Sequence, residues 1–272
     1  MLIKIHSRNA DFQRFETLKT NRNKRHRLGE FFVEGVRNIN AVLGYGWRVR
    51  SFLYARDRQL SNWARDILAS GVSDTDYELP IEYMEELSGK QDASELLAVV
   101  EMRGGDAFSL RFSENPVLAL FDRPSNKGNL GTVIRSCDAL GVEALLITGH
   151  AVDPYDPDVI ISTMGSFFKV PTVRLEDNET ADRFVSQLRD LYPGFMTVGT
   201  SAHADSSIDA IDLTKPVLFL IGNETDGLSA HFRETCDTMA TIPMAAGTSA
   251  TSLNVACAAT VMFYEAGRQR GK

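Results

Sequence analysis

Cysteine and histidine are too few and too dispersed in this sequence to build a metal site or a disulfide framework. No two of the three cysteines form a C-x-x-C pair, and no two of the five histidines have the spacing of zinc ligands. We therefore expect no structural metal and interpret the cysteines as small hydrophobic side chains in a reducing compartment. The residues concerned are Cys137, Cys236, Cys257, His6, His26, His150, His203 and His231.

A long hydrophobic run is also lacking. The longest apolar stretch, Val255–Tyr264, is shorter than the roughly 20 residues that a membrane-spanning helix needs. The first residues, Met1–His6, lead into charged sequence and not into the apolar core of a secretory signal. These features predict a cytoplasmic protein.

Net positive charge is missing from the chain as a whole, whose formal charge is −7, but not from its beginning. Residues 1–28 contain eight Lys and Arg against two acidic residues. A basic segment on an acidic protein is typical of an arm that contacts phosphates, and a solvated, charged helix is the alternative. The candidate phosphate-binding residues are Arg14, Lys19, Arg22, Lys24, Arg25 and Arg27.

The composition is otherwise that of an ordinary globular protein, with 43% hydrophobic and 24% charged residues. A chain of 272 residues has room for one large or two small domains. Alternating strands and helices predict a small α/β domain over residues 1–105. Residues 106–115 show no sustained period and predict a linker, so that the second domain covers residues 116–272.

The second domain alternates apolar strands with amphipathic helices. Its strands are apolar on both faces, as at Val117–Phe121 and Val217–Ile221. Strands of this kind predict a mainly parallel sheet with helices on both faces. The predicted fold class is therefore α/β in both domains.

The first of three candidate site segments runs from Asp122 to Arg135, after a strand and into a helix. Gly128 and Gly131 permit close approach of the backbone to a ligand, and the start of the helix favours an anion. Asn129 is predicted to cap this helix, with Arg135 about one and a half turns further on. The alternative is a plain strand–loop–helix turn with a surface arginine, and the G-x-x-G spacing departs from the dinucleotide fingerprint.

The second segment, Leu218–Ser229, is an apolar strand that ends in a polar turn with a glycine at either end. Ligands of open α/β sheets bind at the carboxyl ends of strands, where Asn223 and Glu224 fall. Ser229 is placed to cap the following helix. An ordinary strand-to-helix loop is the alternative, but capping does not require two glycines and a carboxylate.

The third segment, Ile242–Asn254, leads from a strand through a loop of small residues into the last helix, predicted over Leu253–Gln269. Ser252 is the predicted helix cap. Asn254 is a mediocre helix former, which indicates a role for its side chain. A flexible loop followed by a capped helix is the alternative.

Taken together, the three segments resemble the SpoU/TrmH-type family of the SPOUT methyltransferases in order, spacing and residue choice. The first family motif is similar to Asn129-Leu130-Gly131 with Arg135, and the second to Gly222-Asn223-Glu224 with Gly227-Leu228. The third is similar to Ile242-Pro243-Met244 and Ser252-Leu253-Asn254. The resemblance covers residues 116–268, and Arg27–Gly35 is similar to the ribosomal-protein-like substrate-binding domain that many such enzymes carry.

The resemblance implies an S-adenosylmethionine-dependent RNA ribose 2′-O-methyltransferase that acts as a homodimer and has a trefoil knot in its second domain. The basic segment would then bind RNA, and the N-terminal domain favours rRNA over tRNA. The implied catalytic residues are Asn129, Arg135, Glu224, Ser252 and Asn254. The implied cofactor-binding residues are Thr200, Gly222, Asn223, Gly227, Ile242, Met244, Ser252 and Leu253.

Arg135 is often proposed as the catalytic base in this family, but a guanidinium with a pKa above about 12 seldom loses its proton. Our hypothesis is that Arg135 holds the phosphate beside the target ribose and stabilises the incipient alkoxide. One departure concerns the stretch between Met244 and Ser252. It is longer than is usual in the family, and Thr251 stands where a glutamate is frequent.

Two other functions are rivals of this interpretation. A non-catalytic RNA-binding factor of the same fold would be favoured by loss of Asn129 or Arg135, and both are present. A nucleotide-dependent oxidoreductase would need a glycine-rich loop early in the chain, whereas the best candidate loops lie near its end. Titration with S-adenosylmethionine and with NAD separates these alternatives.

Overall fold

The computed structural model describes residues 1–202 and 204–271, so that His203 and Lys272 lie outside the described residues. In chain order the elements are β1 Leu2–Lys4, α1 Ala10–Thr20, α2 Arg22–Leu28, β2 Glu30–Glu34, α3 Val36–Gly44, β3 Val49–Ala55, α4 Asn62–Ala69, β4 Thr75–Leu79, α5 Ile81–Ser88, β5 Leu97–Glu101, β6 Val117–Asp122, α6 Lys127–Leu140, β7 Leu145–Thr148, α7 Pro157–Thr163, β8 Thr172–Arg174, α8 Asn178–Leu191, β9 Met196–Thr200, β10 Ser206–Ser207, β11 Val217–Ile221, α9 Ala230–Thr235, β12 Thr238–Thr241 and α10 Val255–Gln269. Short 3-10 turns occur at Ala107–Ser109, Ser166–Phe168 and Ile208–Ala210.

The chain divides into two compact units. Unit 1 contains Met1–Gly104 and Asp153–Lys169, and unit 2 contains Gly105–Val152 and Val170–Lys272. Residues 106–115, predicted as a linker, follow this boundary and lie within unit 2. Residues 153–169 pack with the first unit, although chain order alone would place them in the second domain.

Unit 1 is built on a five-stranded mixed sheet with the order β1-β4-β3-β5-β2. Helix α1 buries Phe12, Phe15 and Leu18 at helical spacing against this sheet, as their period predicts. The returning segment 153–169 joins through aromatic contacts, and the indole Nε1 of Trp47 donates to the carbonyl of Phe168 at 2.9 Å. These contacts explain why α7 belongs to this unit.

Unit 2 is built on a seven-stranded sheet with the order β10-β12-β9-β11-β6-β7-β8, in which every pairing is parallel. Side chains alternate between its faces. Leu218 and Leu220 share a core cluster with Phe184 of α8, whereas Phe219 contacts Phe263 of α10 at 5.8 Å between ring centroids. Helices therefore cover both faces, and the predicted fold class is confirmed.

The predicted trefoil knot stays a prediction, because strand order alone does not specify how the chain is threaded. Among the described residues, no helix is both long and apolar enough to cross a membrane.

Candidate active site

The candidate active site lies at the carboxyl edge of the parallel sheet. Strands β9, β11 and β12 end at this edge, and the chain that follows them lines a pocket of about 410 Å³. All eight predicted cofactor-binding residues line it: Thr200, Gly222, Asn223, Gly227, Ile242, Met244, Ser252 and Leu253. Glu224 also lines this pocket, whereas Asn129, Arg135 and Asn254 are not among its lining residues.

The turn from Gly222 to Gly227 is fixed by its own backbone. Asn223 and Gly227 exchange two N–H···O bonds of 3.0 Å, and the Asn223 Oδ1 accepts from the Thr225 N–H at 2.8 Å. A Cβ atom on Gly222 would overlap the backbone of Gly227 and Leu228, and Gly227 has φ +67°. Both glycines are therefore required by the backbone, which is consistent with the choice of residues in the sequence.

Two residues at the end of β6, Asp122 and Arg123, also hold this turn, and sequence reasoning did not assign them this role. They are called the Asp122–Arg123 support below. The buried carboxylate of Asp122 accepts from the Ser229 N–H at 2.8 Å and from the Arg123 Nε at 3.1 Å. Arg123 has φ +54°, unusual for a residue with a side chain, and its guanidinium donates to the Gly227 carbonyl at 2.9 Å. The end of β6 thus holds the turn after β11.

The carboxylate of Glu224 ties the second segment to the first. It accepts from the Ser125 hydroxyl at 2.7 Å and from the Asn129 Nδ2 at 3.2 Å. The backbone N–H groups of Ser125 and Asn126 donate to it at 3.1 and 3.2 Å. Burial raises the pKa of the Glu224 carboxyl, but these hydrogen bonds outweigh burial and leave the pKa lowered. The group is therefore a carboxylate at neutral pH and acts as a fixed acceptor.

Asn254 brings the third segment to the same network. Its Nδ2 donates to the Asn129 Oδ1 at 3.1 Å, and its own Oδ1 accepts from the N–H groups of Ala256 and Cys257. Asn129 thus connects Glu224 on one side with Asn254 on the other. The role that the sequence assigned to the Asn254 side chain has a physical basis in these contacts.

Two predicted helix caps are wrong by one helical turn or less. Asn126, not Asn129, caps α6, and its side chain accepts from the Asn129 N–H at 3.0 Å. Asn254, not Ser252, caps α10. In both cases asparagine occupies the cap, a position it favours. Ser229 does precede α9 as predicted, but its side chain makes no capping hydrogen bond.

Arg135 lies on α6, and its exposed guanidinium makes no hydrogen bond or ion pair with any described residue. Helix α6 packs against α10, where the Ser136 and Thr260 hydroxyls are 2.6 Å apart. A charged group that no neighbour neutralises is available to an external anion. Its position outside the pocket lining separates the candidate catalytic arginine from the candidate cofactor site.

The loop from Pro243 to Leu253 differs from the rest of the site. Every residue in it is exposed. Its only hydrogen bond to a described residue joins the Thr248 hydroxyl to the Ala250 carbonyl at 3.2 Å. It contains the stretch between Met244 and Ser252, which is expected to be longer than is usual in the family that the sequence resembles.

The basic segment is not an extended arm. Arg25 is buried with 2% of its surface exposed, and its guanidinium contacts Asp153 at 2.8 Å and Asp156 at 3.3 Å. The phosphate-binding role predicted for Arg25 is therefore wrong, because the side chain is used inside unit 1. Arg14 is paired with Glu30, and Lys19 donates to the Glu86 carbonyl at 3.4 Å. Arg22, Lys24 and Arg27 lie on α2, with Arg27 exposed.

Comparison with known proteins identifies the family. The SpoU rRNA Methylase family matches residues 116–264, and the SpoU L30e-like domain matches residues 9–98. A 23S rRNA (uridine(2479)-2′-O)-methyltransferase of Streptomyces viridochromogenes is 45% identical over 98% of this chain and 92% of its own length.

Solved structures agree with this sequence match. The SpoU methyltransferase AviRb from Streptomyces viridochromogenes in complex with AdoMet has a TM-score of 0.91 at 44% identity, covering 97% of this chain and 99% of its own. An AdoMet-bound rRNA methyltransferase from Sinorhizobium meliloti has a TM-score of 0.87 at 25% identity, covering 98% of both chains. The family predicted from the three segments is confirmed: this chain belongs to the SpoU rRNA methylase family and carries that family's L30e-like domain at its N-terminal end.

Proposed function

We propose that this protein transfers the methyl group of S-adenosylmethionine to a ribose 2′-hydroxyl of rRNA. The observation that carries the proposal is the convergence of the three segments. The pocket contains all the predicted cofactor residues, and the chain Glu224–Asn129–Asn254 joins the loops around it. The preference for rRNA over tRNA rests on the relative from Streptomyces viridochromogenes, whose name specifies 23S rRNA.

The pocket has the chemistry that S-adenosylmethionine requires. Leu228, Met239 and Ile242 supply an apolar surface for a flat ring, and Gly222 and Gly227 also line the pocket. The bound cofactor would supply an electrophilic sulfonium methyl, so that the protein has mainly to orient and assist the accepting hydroxyl. Main-chain contacts from the Gly222–Gly227 turn would hold the adenosine.

Arg135 is assigned to bind the phosphate next to the target ribose and to stabilise negative charge on the reacting 2′-oxygen. Asn129, Glu224, Ser252 and Asn254 are assigned to orientation of the hydroxyl. Glu224 and Asn254 fix the two sides of the Asn129 amide, so this amide presents a defined donor or acceptor. No proton has to leave the guanidinium in this scheme.

The proposed assembly is a homodimer. Cys257, Val261 and Tyr264 are exposed and recur at helical spacing along α10, and such an apolar stripe favours a protein partner. Arg135 is exposed on α6, the helix that packs against α10. Val261→Asp would place a charge in this stripe, and we expect it to reduce the mass measured by light scattering from dimer to monomer. A wild-type monomer at micromolar concentration would exclude the homodimer.

RNA contact is assigned to basic residues of unit 1, namely Arg14, Lys19, Arg22, Lys24 and Arg27, of which Arg27 is exposed and the others are half-buried. Arg25 is omitted because it is buried. The proposed location of the protein is the cytoplasm. Neutralising Arg27 and Lys24 should weaken rRNA binding and reduce the slope of log K against log salt, since fewer counterions are released. An unchanged slope would reject the assignment.

The decisive variant for the proposed function is Arg135→Ala. We expect it to abolish methyl transfer to rRNA and to leave the dissociation constant for S-adenosylmethionine within about twofold, because Arg135 does not line the pocket. Arg135→Lys should retain measurable activity if charge, and not proton abstraction, is what the site needs. Arg183→Ala, an exposed arginine on α8, is the matched control. Substantial turnover by Arg135→Ala would overturn the assignment.

A further inference from the structure

Helices α6 and α10 are joined by two side-chain hydrogen bonds. The first is the Asn254–Asn129 contact at 3.1 Å, and the second joins the hydroxyls of Ser136 and Thr260 at 2.6 Å. Ser136 follows Asn129 by about two turns of α6, and Thr260 follows Asn254 by somewhat under two turns of α10. The two helices therefore run in the same direction, and the bonds fix their relative position at two points roughly 10 Å apart.

The direction of the second bond follows from its surroundings. The Thr260 hydroxyl donates to the Ala256 carbonyl at 2.7 Å, which uses the single proton that a hydroxyl can donate. Ser136 must therefore donate to the Thr260 oxygen. Ser136 is 8% exposed and Thr260 is half-buried, so water competes little for this bond. The bond thus depends on a hydroxyl at each of the two positions.

Arg135 directly precedes Ser136 on α6. Successive residues of a helix point about 100° apart, so the serine can face α10 while the arginine is exposed. The Arg135 guanidinium makes no hydrogen bond or ion pair with any described residue, and its position therefore depends on the position of its helix. A rotation of α6 moves the end of this long side chain further than it moves the buried serine. A displacement of about 1 Å can lower a catalysed rate about 100-fold.

The two bonds between the helices serve different parts of the site. The Asn254–Asn129 bond leads to Glu224, which lines the cofactor pocket. The second bond lies beside Arg135, and neither Ser136 nor Thr260 lines that pocket. Loss of the second bond should therefore displace the arginine and leave the cofactor pocket intact.

We propose that Ser136 and Thr260 form a positioning pair for methyl transfer. Their hydrogen bond holds α6 in one rotation against α10, and it thereby holds the Arg135 guanidinium in one place relative to the Asn129–Asn254 contact. The inference rests on the proposed function and extends it to two residues that act through Arg135. They are positioning and not catalytic residues, because their hydroxyls are bound to each other and to the Ala256 carbonyl.

The test measures steady-state methylation of rRNA by the full-length protein and its variants. Ser136→Ala removes the donor of the bond, and Thr260→Val removes the acceptor with little change in shape. We expect each variant to lower kcat about tenfold and to leave the dissociation constant for S-adenosylmethionine within about twofold. Thr260→Ser keeps the hydroxyl and should keep most of the activity. A purely structural role would lower the free energy of unfolding and leave kcat of the folded protein unchanged, so a wild-type kcat in Ser136→Ala overturns the proposal.

Double variants show whether the two hydroxyls act together and through Arg135. Ser136→Ala combined with Thr260→Val should lose no more activity than either single variant, because the bond is already absent in each. In an Arg135→Lys background, Ser136→Ala should add less than about a twofold loss, since the guanidinium that the pair holds is gone. Losses that multiply in either double variant would overturn the pair.

Thr235→Val is the matched control. The Thr235 hydroxyl donates to the His231 carbonyl at 2.8 Å, four residues earlier, as Thr260 does to Ala256, but it makes no bond to another helix within the described chain. This variant should keep the wild-type kcat, and a tenfold loss in it would overturn the special role of the pair.

The wild type separates this proposal from the proposed function. If the wild type binds S-adenosylmethionine but methylates no rRNA, the proposed function fails and the positioning pair fails with it. If the wild type methylates rRNA and Ser136→Ala does so equally well, or loses cofactor affinity in parallel with kcat, the pair alone fails.

Discussion

Two parts of the same pocket are built in opposite ways. The Gly222–Gly227 turn is held by its own backbone bonds, by Asn223 and by the Asp122–Arg123 support. The Pro243–Leu253 loop is exposed throughout and has one internal hydrogen bond. A preformed turn can bind a ligand without ordering cost, whereas an exposed loop has to become ordered when it closes on one. We infer that the turn sets cofactor recognition and that the loop adapts to it.

The largest expected effect is on cofactor affinity, when one methyl group is added to the turn and, for comparison, one to the loop. Gly222→Ala places a Cβ against the backbone of Gly227 and Leu228 and should abolish S-adenosylmethionine binding. In Gly247→Ala, in the loop, the new Cβ meets no atom within 4 Å, and the strain is that of an alanine at φ +77°, which costs about 1–2 kcal/mol. Calorimetric titration of both variants checks this. Equal losses of affinity would contradict the contrast between turn and loop.

A smaller effect is expected at Asn254, which directly follows the loop. Its side chain contacts Asn129, and Asn129 in turn contacts Glu224 of the turn. Asn254→Ala removes the cap of α10, worth about 1 kcal/mol, and the contact with Asn129. It should lower kcat for rRNA methylation more than it weakens S-adenosylmethionine binding. The steady-state constants separate the two, and a loss confined to cofactor affinity would remove Asn254 from the catalytic group.

The turn should also show a pH dependence that the loop does not. The pKa of Glu224 is lowered in the folded protein, so its carboxylate contributes to the free energy of unfolding. This contribution is complete above the pKa of the unfolded chain, about 4.3, and is lost as the pH falls through the pKa of the folded protein. Glu224→Gln should therefore make the free energy of unfolding less sensitive to acid. Urea titrations at several pH values measure this slope, and identical slopes for both proteins would contradict it.

The smallest effect is expected within the loop. Thr248→Ala deletes its single hydrogen bond at an exposed position, so the free energy of unfolding should change by less than about 0.5 kcal/mol. Chemical denaturation measures this change. A loss of more than about 1 kcal/mol would show that the loop is held by contacts comparable to those of the turn.

The sequence predicted much of this site because its signals are local. The strand Val217–Ile221, which leads into the second segment, begins and ends where the sequence predicts. The cofactor residues follow strand ends, and parallel strands bring those ends to one edge. Both features can be read without knowing any distant contact.

What escaped prediction depends on distant contacts. Arg25 has the sequence environment of a surface residue, but it is buried and paired with Asp153 and Asp156, which lie 128 and 131 residues further along the chain. Strands β1 and β4 are short and carry charged residues, so their pairing and not their pattern defines them. Asp122 was recognised as part of a segment, but its contact with the turn requires the Ser229 N–H, which lies 107 residues away in sequence and follows the neighbouring strand β11.

The central claim is methyl transfer to a ribose oxygen of rRNA, and product analysis tests it most directly. Purified protein would be incubated with unmodified rRNA and isotopically labelled S-adenosylmethionine, and the RNA digested to nucleosides for mass spectrometry. The account predicts a label on the ribose of a 2′-O-methylated nucleoside, present with wild type and absent with Arg135→Ala. Label on a base, or none on rRNA from a protein that binds the cofactor, would contradict it.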